Sequence, residues 1–171
     1  MRPTTPDGFR EAHAITERLW ADTLTRARRL DPALLHTSVE GEWSFIDTLR
    51  HMVFVTDCWV RRAIQRQPAP WHPLALPWEQ MPDIPGVPRD RTAQPPLETV
   101  LALREDRAAG VRSLLAGLTA EQLDIDTPAV EAPGWPPPKS FPVRKCLLVL
   151  LNEEWHHRLY AERDLAILEA G

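Results

Sequence analysis

Glu153 and His157 stand four residues apart in the run PVRKCLLVLLNEEWHHRLYAERDLAILEA. At 3.6 residues per turn, side chains with that spacing share one face of a helix, close enough to grip one divalent cation. His51 lies in a second helical run, FIDTLRHMVFVTDCWVRRAI, just before its most apolar stretch, Met52-Val53-Phe54-Val55. An unpartnered imidazole there would be costly to bury. His51, Glu153 and His157 are therefore a candidate facial triad, two imidazoles and a carboxylate, with positions left open for water or substrate. The same residues can equally form a buried hydrogen-bond network, and spacing alone leaves both readings open. Glu154 replaces Glu153 if the helix is rotated, or holds a ligand from behind. His156 is turned about 100 degrees from His157 and is expected in solvent. Asp47, one turn before His51, either orients that ring or caps the first turn. His13 and His36 are expected at the surface, and His72, between Trp71 and Pro73, is either a packing residue or a substrate-side group.

The elements that must present these residues follow from where proline falls. The 171 residues include 18 prolines against 7 glycines, and proline breaks helix interiors and sheet ladders alike. Fifteen of the prolines occupy two windows, Pro68 to Pro96 and Pro128 to Pro142. The stretches between have the apolar spacing of helices. The first, from about Asp7 to Leu30, carries Phe9, Ala12, Ile15 and Leu19. The second starts at Ser44, an N-cap candidate with Asp47 three residues on, and runs to Pro68. Its consecutive apolar residues require packing on most sides. The third carries Leu97, Val100, Leu101, Ala108, Val111, Leu115 and Leu118 and is of the surface type. Thr119 with Gln122 makes a capping box for a short extra turn. The last runs from Ser140 to Ala170 with Pro142 in its first turn, and its inward line is Val143, Cys146, Leu150, Glu153, His157, Tyr160 or Ala161, and Leu168. No segment alternates long enough for a convincing strand. The expected fold class is all-α: a four-helix bundle forming one domain over residues 1–171, with a long Pro- and Trp-rich connection between helices two and three. That connection, from Gln67 to Pro96, holds Trp71, His72 and Trp78 and is read as an ordered flap. The stretch around Trp135 is expected to do likewise.

A net charge of -4, with no cluster of Lys and Arg, argues against nucleic acid or an anionic membrane as a partner. No apolar run approaches the roughly 20 residues that span a bilayer, and the amino terminus does not resemble a signal peptide. A cytoplasmic location is expected. Cys58 and Cys146 lack CxxC spacing and are expected as reduced thiols.

The phrases GEWSFIDTLRHMVFVTDCWVRRAI, WHPLALP and LNEEWHHRLYAERDLAILEA together resemble the DinB/YfiT-like superfamily, particularly its actinobacterial branch. The resemblance runs over nearly the whole chain and is strongest around His51 and His157. It implies a four-helix bundle with a divalent metal, often nickel or zinc, held by a histidine of the second helix and two residues one turn apart on the last. In many members those two are both histidines; here the position one turn before His157 is Glu153, and one turn before His156 is Asn152. Several relatives are thiol-dependent transferases or isomerases that use mycothiol or bacillithiol, and a thiol on a divalent metal is deprotonated at neutral pH. What the resemblance implies is a metal-dependent thiol S-transferase with a small-molecule substrate and a homodimer as its partners. Trp71 and Trp78 are candidates for the pocket wall, and His72, Asp57 or Tyr160 for supplying a proton or a hydrogen bond. Two alternatives stand beside it: a maleylpyruvate isomerase-like enzyme, which shares the metal logic, and a non-catalytic bundle that binds a small molecule or a protein.

Overall fold

Capping residues decide where the helices begin. The computed structural model describes residues 2–171. Helix α1 (Pro6–Ala27) starts behind Thr5, whose hydroxyl accepts from the Gly8 amide at 3.1 Å. Proline at the first helical position lacks an N–H that would have had no partner anyway. A 3-10 turn over Pro32–His36 follows. Helix α2 (Phe45–Thr56) is capped by Ser44, which accepts from the Asp47 amide at 3.1 Å. Every residue of α2 except Asp47 is buried, as its run of apolar residues requires. The same helical rod continues to Ile64, but over Asp57–Ile64 it widens into a π-helix, where a uniform helix to Pro68 was expected.

Helix α3 (Leu97–Ala116) buries only Val100, Val111 and Leu115. The single turn α4 (Ala120–Leu123) has both hydrogen bonds of the Thr119/Gln122 capping box. Two-residue strands β1 (Asp126–Thr127) and β2 (Phe141–Pro142) pair antiparallel, and α5 (Val143–Ala170) follows directly. Pro142 is thus the cap residue of α5 and not part of its first turn. Helices α1, α2, α3 and α5 pack as an all-α bundle around Leu49, Met52, Leu147 and Leu165. Among the described residues, no helix is long and apolar enough to cross a membrane.

The two proline-rich connections are tied down by arginines that the bundle buries completely. Arg50, with no exposed surface, donates to the carbonyls of Leu74 at 2.8 Å and Ala93 at 3.2 Å, to that of Asp90, and to the Asp47 carboxylate at 3.0 Å. Arg62 donates to Pro68 O at 2.6 Å, Pro136 O at 3.1 Å, Val130 O at 3.2 Å and Ala132 O. A buried guanidinium is tolerable only when its donors are satisfied, and loop carbonyls, which proline-rich chain leaves without helical partners, supply the acceptors. The connections then meet each other at Trp78 and Trp135, whose rings lie edge to face at 4.9 Å, above Phe54 of α2. At Gly134 a Cβ would lie 2.7 Å from the Arg62 guanidinium carbon and would collide with the Trp71 ring, so only glycine fits there.

Candidate metal centre

His51 is carried on the most buried face of α2 with 5% of its surface exposed. Its Nδ1 lies 2.8 Å from the carbonyl of Leu76 in the flap. The amide of Leu76 in turn bonds Arg50 O at 3.3 Å, so one flap residue grips α2 in both directions. A carbonyl only accepts, so Nδ1 of His51 carries the proton and Nε2 is left with the lone pair. On α5, His157 repeats this pattern: its Nδ1 is 3.0 Å from the backbone carbonyl of Glu153, one turn earlier. Asp47, which sequence made a candidate for orienting His51, instead bonds Ser44 and Arg50. The Leu76 carbonyl does that work.

The structure brings His51, Glu153 and His157 together. A nitrogen from each ring and a carboxylate oxygen of Glu153 all lie within 4.8 Å of one another. Glu153 Oε2 is 3.8 Å from His51 Nε2 and 3.3 Å from His157 Nδ1, and the two imidazoles have centroids 4.8 Å apart. At 3.8 Å the carboxylate and His51 make no hydrogen bond. With its Nδ1 proton directed to Leu76 O, His51 turns a lone-pair Nε2 toward the Glu153 carboxylate, acceptor to acceptor, while His157 meets the same carboxylate from its Nδ1 side. That set of acceptors fits a cation. Tetrahedral zinc with ligands at about 2.0–2.1 Å would set donor atoms about 3.3 Å apart, so side chains that now lie within 4.8 Å of one another would have to draw together to hold it.

The electrostatics agree with that fit. The carboxyl of Glu153 is held below its usual range, chiefly by the facing His51 ring and further by His157, against the opposing effect of burial. Burial, then the nearby His51, lowers His157 from the usual imidazole value. Both shifts favour the forms that bind metal, an ionised carboxylate and a neutral ring.

Trp43 covers the cluster, with its ring 4.6 Å from His51 and 6.1 Å from His157. Beside His157 opens a cleft of about 280 Å³, lined by Trp43, Trp78, Gln80, Tyr160, Arg163 and others. Tyr160 stands edge-on to His157 at 5.7 Å and is half exposed. Of the three residues read as proton or hydrogen-bond donors, Tyr160 alone lines this cleft. Asp57 is fully buried between Arg61 and Arg107, at 3.1 and 2.9 Å. His72 accepts at Nδ1 from the Leu74 amide within the flap. Trp78 lines the cleft, whereas Trp71 packs elsewhere, donating to Cys58 Sγ at 3.3 Å and lying under Arg62.

Glu154 faces away from the cluster, paired with Arg104 at 2.9 Å, and His156 is exposed as expected. His13 is buried against Glu17 and His36 is half-buried, where both were expected at the surface. Helix α1 turns His13 inward because its neighbours on that face, Phe9, Ala12 and Thr16, are core. Burial pushes the Cys58 thiol up, and Cys146 up to about 12, so neither cysteine is a nucleophile. Sequence reasoning missed Trp43 and Leu76. An aromatic just before the Ser44 cap was a signal for the first; a backbone carbonyl has no signature in the sequence.

The family model described as the DinB superfamily matches residues 15–161. No curated protein and no solved structure matches the chain.

Proposed function

The chain belongs to the DinB superfamily, and from that premise we propose that it is a divalent-metal-dependent enzyme acting on a small hydrophilic thiol, of the thiol S-transferase type. The observation that carries the reading is the convergence of His51, Glu153 and His157 within 4.8 Å at the inner edge of the cleft beside His157. Two imidazoles and a carboxylate suit zinc or nickel. Such a cation lowers the pKa of a thiol or water brought against it.

The chain's own residues would do the rest. Leu76 O and Glu153 O hold the two rings in the tautomer that offers Nε2. Trp43 packs its ring against His51 and His157 and limits water at the inner, imidazole side of the cluster. The cleft wall of Glu42, Thr48, Glu79, Gln80, Arg163 and Asp164 is polar enough for a sugar- or amino-acid-bearing thiol such as mycothiol or bacillithiol. Tyr160 would present its hydroxyl to that substrate. Because Cys58 and Cys146 are buried with raised thiol pKa values, the sulfur must come from the ligand.

The test is metal content after purification without a His-tag or chelating resin. Less than about a tenth of an equivalent after incubation with nickel or zinc sinks the metal site, since three ligands bind far more tightly. Cobalt-loaded protein mixed with mycothiol should then develop a sulfur-to-cobalt charge-transfer band, absent in His51→Ala. Metal retained with no such band overturns the thiol reading and leaves the metal site standing.

A further inference from the structure

The cleft beside His157 contains two polar groups that the bundle leaves without partners. Thr16, Thr23, Thr25 and Thr56 each donate to the carbonyl four residues earlier. The hydroxyl of Thr48, one turn before His51 on α2 and only 4% exposed, has no such bond and no other partner among the described residues. Asp164 of α5, 3% exposed, receives the Arg163 guanidinium on Oδ1 alone, at 2.7 Å, and its Oδ2 is likewise unpartnered. Among the described residues, the Trp20 indole nitrogen alone is both partnerless and sealed from solvent. The two oxygens therefore keep accessible surface, and both residues line this cleft of about 280 Å³. Buried polar groups are nearly always paired, so the two oxygens point to a ligand that donates hydrogen bonds.

We propose that the cleft is a subsite for a primary ammonium group, held by Asp164 Oδ2 and Thr48 Oγ1. Its charges favour a cation. Glu42, Glu79 and Asp164 line it against one guanidinium, Arg163, which is committed to Asp164 Oδ1 and lies 5.8 Å from the Tyr160 ring. Glu42 and Glu79 are exposed and make no ion pair among the described residues. An anionic group would meet this excess of carboxylates, and a neutral hydroxyl gains nothing from it. A quaternary ammonium has no N–H for either oxygen. Nor is the occupant a second metal ion: among the described residues only His51, Glu153 and His157 come close enough together to hold one. Trp43 and Trp78 add aromatic surface to the walls, which suits a cation on an apolar stem. The consequence for the substrate rests on the metal-and-thiol reading: the thiol is an amine-bearing one. The subsite itself does not depend on that reading.

The experiment titrates 15N-labelled full-length protein at pH 7 with phenethylamine, its neutral isostere 2-phenylethanol and its N-trimethylated form, in chelator and again with zinc. The Trp43 and Trp78 indole resonances, assigned from their Phe variants, should move with phenethylamine. Its affinity should exceed that of each other ligand about tenfold or more, the worth of a hydrogen bond to a charged group. Asp164→Asn should lower the amine-to-alcohol ratio about tenfold, and Glu42→Gln with Glu79→Gln a few-fold, as exposed charges do. Equal affinity for amine and alcohol, tighter binding of the trimethylated amine, no binding at all, or a ratio unchanged in Asp164→Asn overturns the proposal. So does a preference that zinc abolishes, since the ammonium would then sit on Glu153. If Asp164→Asn fails to fold, an unchanged ratio in Thr48→Val overturns it alone. A missing cobalt band with mycothiol leaves the amine preference standing, and a missing preference leaves the band standing, so the two readings fail separately.

Discussion

Glu153→Gln should change stability in opposite directions with and without metal. At pH 8, above the usual imidazole range, the chain without metal holds the Glu153 carboxylate 3.8 Å from the lone-pair nitrogen of His51, acceptor against acceptor. Glutamine keeps the shape, removes the charge and supplies N–H donors. A hydrogen bond to His51 Nε2 is worth about 0.5–1.5 kcal/mol, which raises Tm by roughly 1–6 °C for a chain of this size. With zinc or nickel at about a thousand times its Kd, the natural protein should gain about 4 kcal/mol, or roughly 10 °C. Glutamine is a weak neutral ligand; a hundredfold loss of affinity cancels about 2.7 kcal/mol of that gain. The two melting curves therefore cross: the variant is the more stable in chelator, the natural protein in excess metal. Calorimetry under both conditions reads this directly. Equal metal-induced shifts for the two proteins would refute the ligand role of Glu153, and a loss of several kcal/mol in chelator would refute the lone-pair clash.

Arg50→Met leaves three flap carbonyls without their buried donor and should destabilise the protein by about 3–5 kcal/mol, with proteolysis beginning within residues 67–96; cleavage elsewhere first would show the flap is held by other means. Gly134→Ala forces Arg62 and Trp71 apart and should lose about 1–3 kcal/mol by urea unfolding, while the same change at the open, helical Gly110 should stabilise. Burial lowers the pKa of His13 from its usual value, with Glu17 opposing. The unfolded chain then binds a proton more readily, so this contribution to stability is full above the usual imidazole pKa and is lost as pH falls through it. His13→Phe should flatten that part of the stability–pH curve, read from urea midpoints, and an unchanged slope would show that His13 does not titrate on unfolding.

The bundle was legible because it rests on local rules. Thr119 and Gln122 form the capping box that their spacing predicts, Ser44 caps α2, and the apolar run of α2 is buried, whereas on α1 the buried face passes through Thr16, Trp20 and Thr23 and leaves Ile15 and Leu19 half-buried. The juxtaposition of His51 with Glu153 and His157 was legible too, since a polar residue on an apolar face must find a partner and the facing helix had few to offer. What could not be read is what depends on distant chain. Arg50 and Arg62 look in sequence like any arginine on a helix, yet each is buried by loops tens of residues away. His13 looked like surface for the same reason: two core neighbours a turn apart decide its side of α1 only once α5 packs there. The π-helical widening at Asp57 accompanies the ion pairs of the fully buried Asp57 carboxylate with Arg61, one turn on, and with Arg107 of α3, a partner that only the folded bundle supplies.

Glu153 in place of a second α5 histidine also bears on the chemistry. Three neutral imidazoles would leave a divalent ion with its full double charge; one carboxylate reduces the net charge of the site to a single unit. The ion then polarises a bound thiol or water less strongly, and the pKa of that group falls less far. The carboxylate compensates in affinity, since an ionised ligand attracts a cation more than a neutral ring does. A site of this kind should therefore retain metal well and activate weakly, which favours a ligand whose acidity is already close to neutral. Thiols, with an ordinary pKa of about 8.5 against 15.7 for water, are such ligands. For the proposed thiol reading, Glu153→His tests the charge argument, since it should strengthen hydrolytic activity on activated esters relative to thiol transfer. An unchanged ratio of the two activities in that variant would remove the charge argument while leaving the ligand geometry untouched.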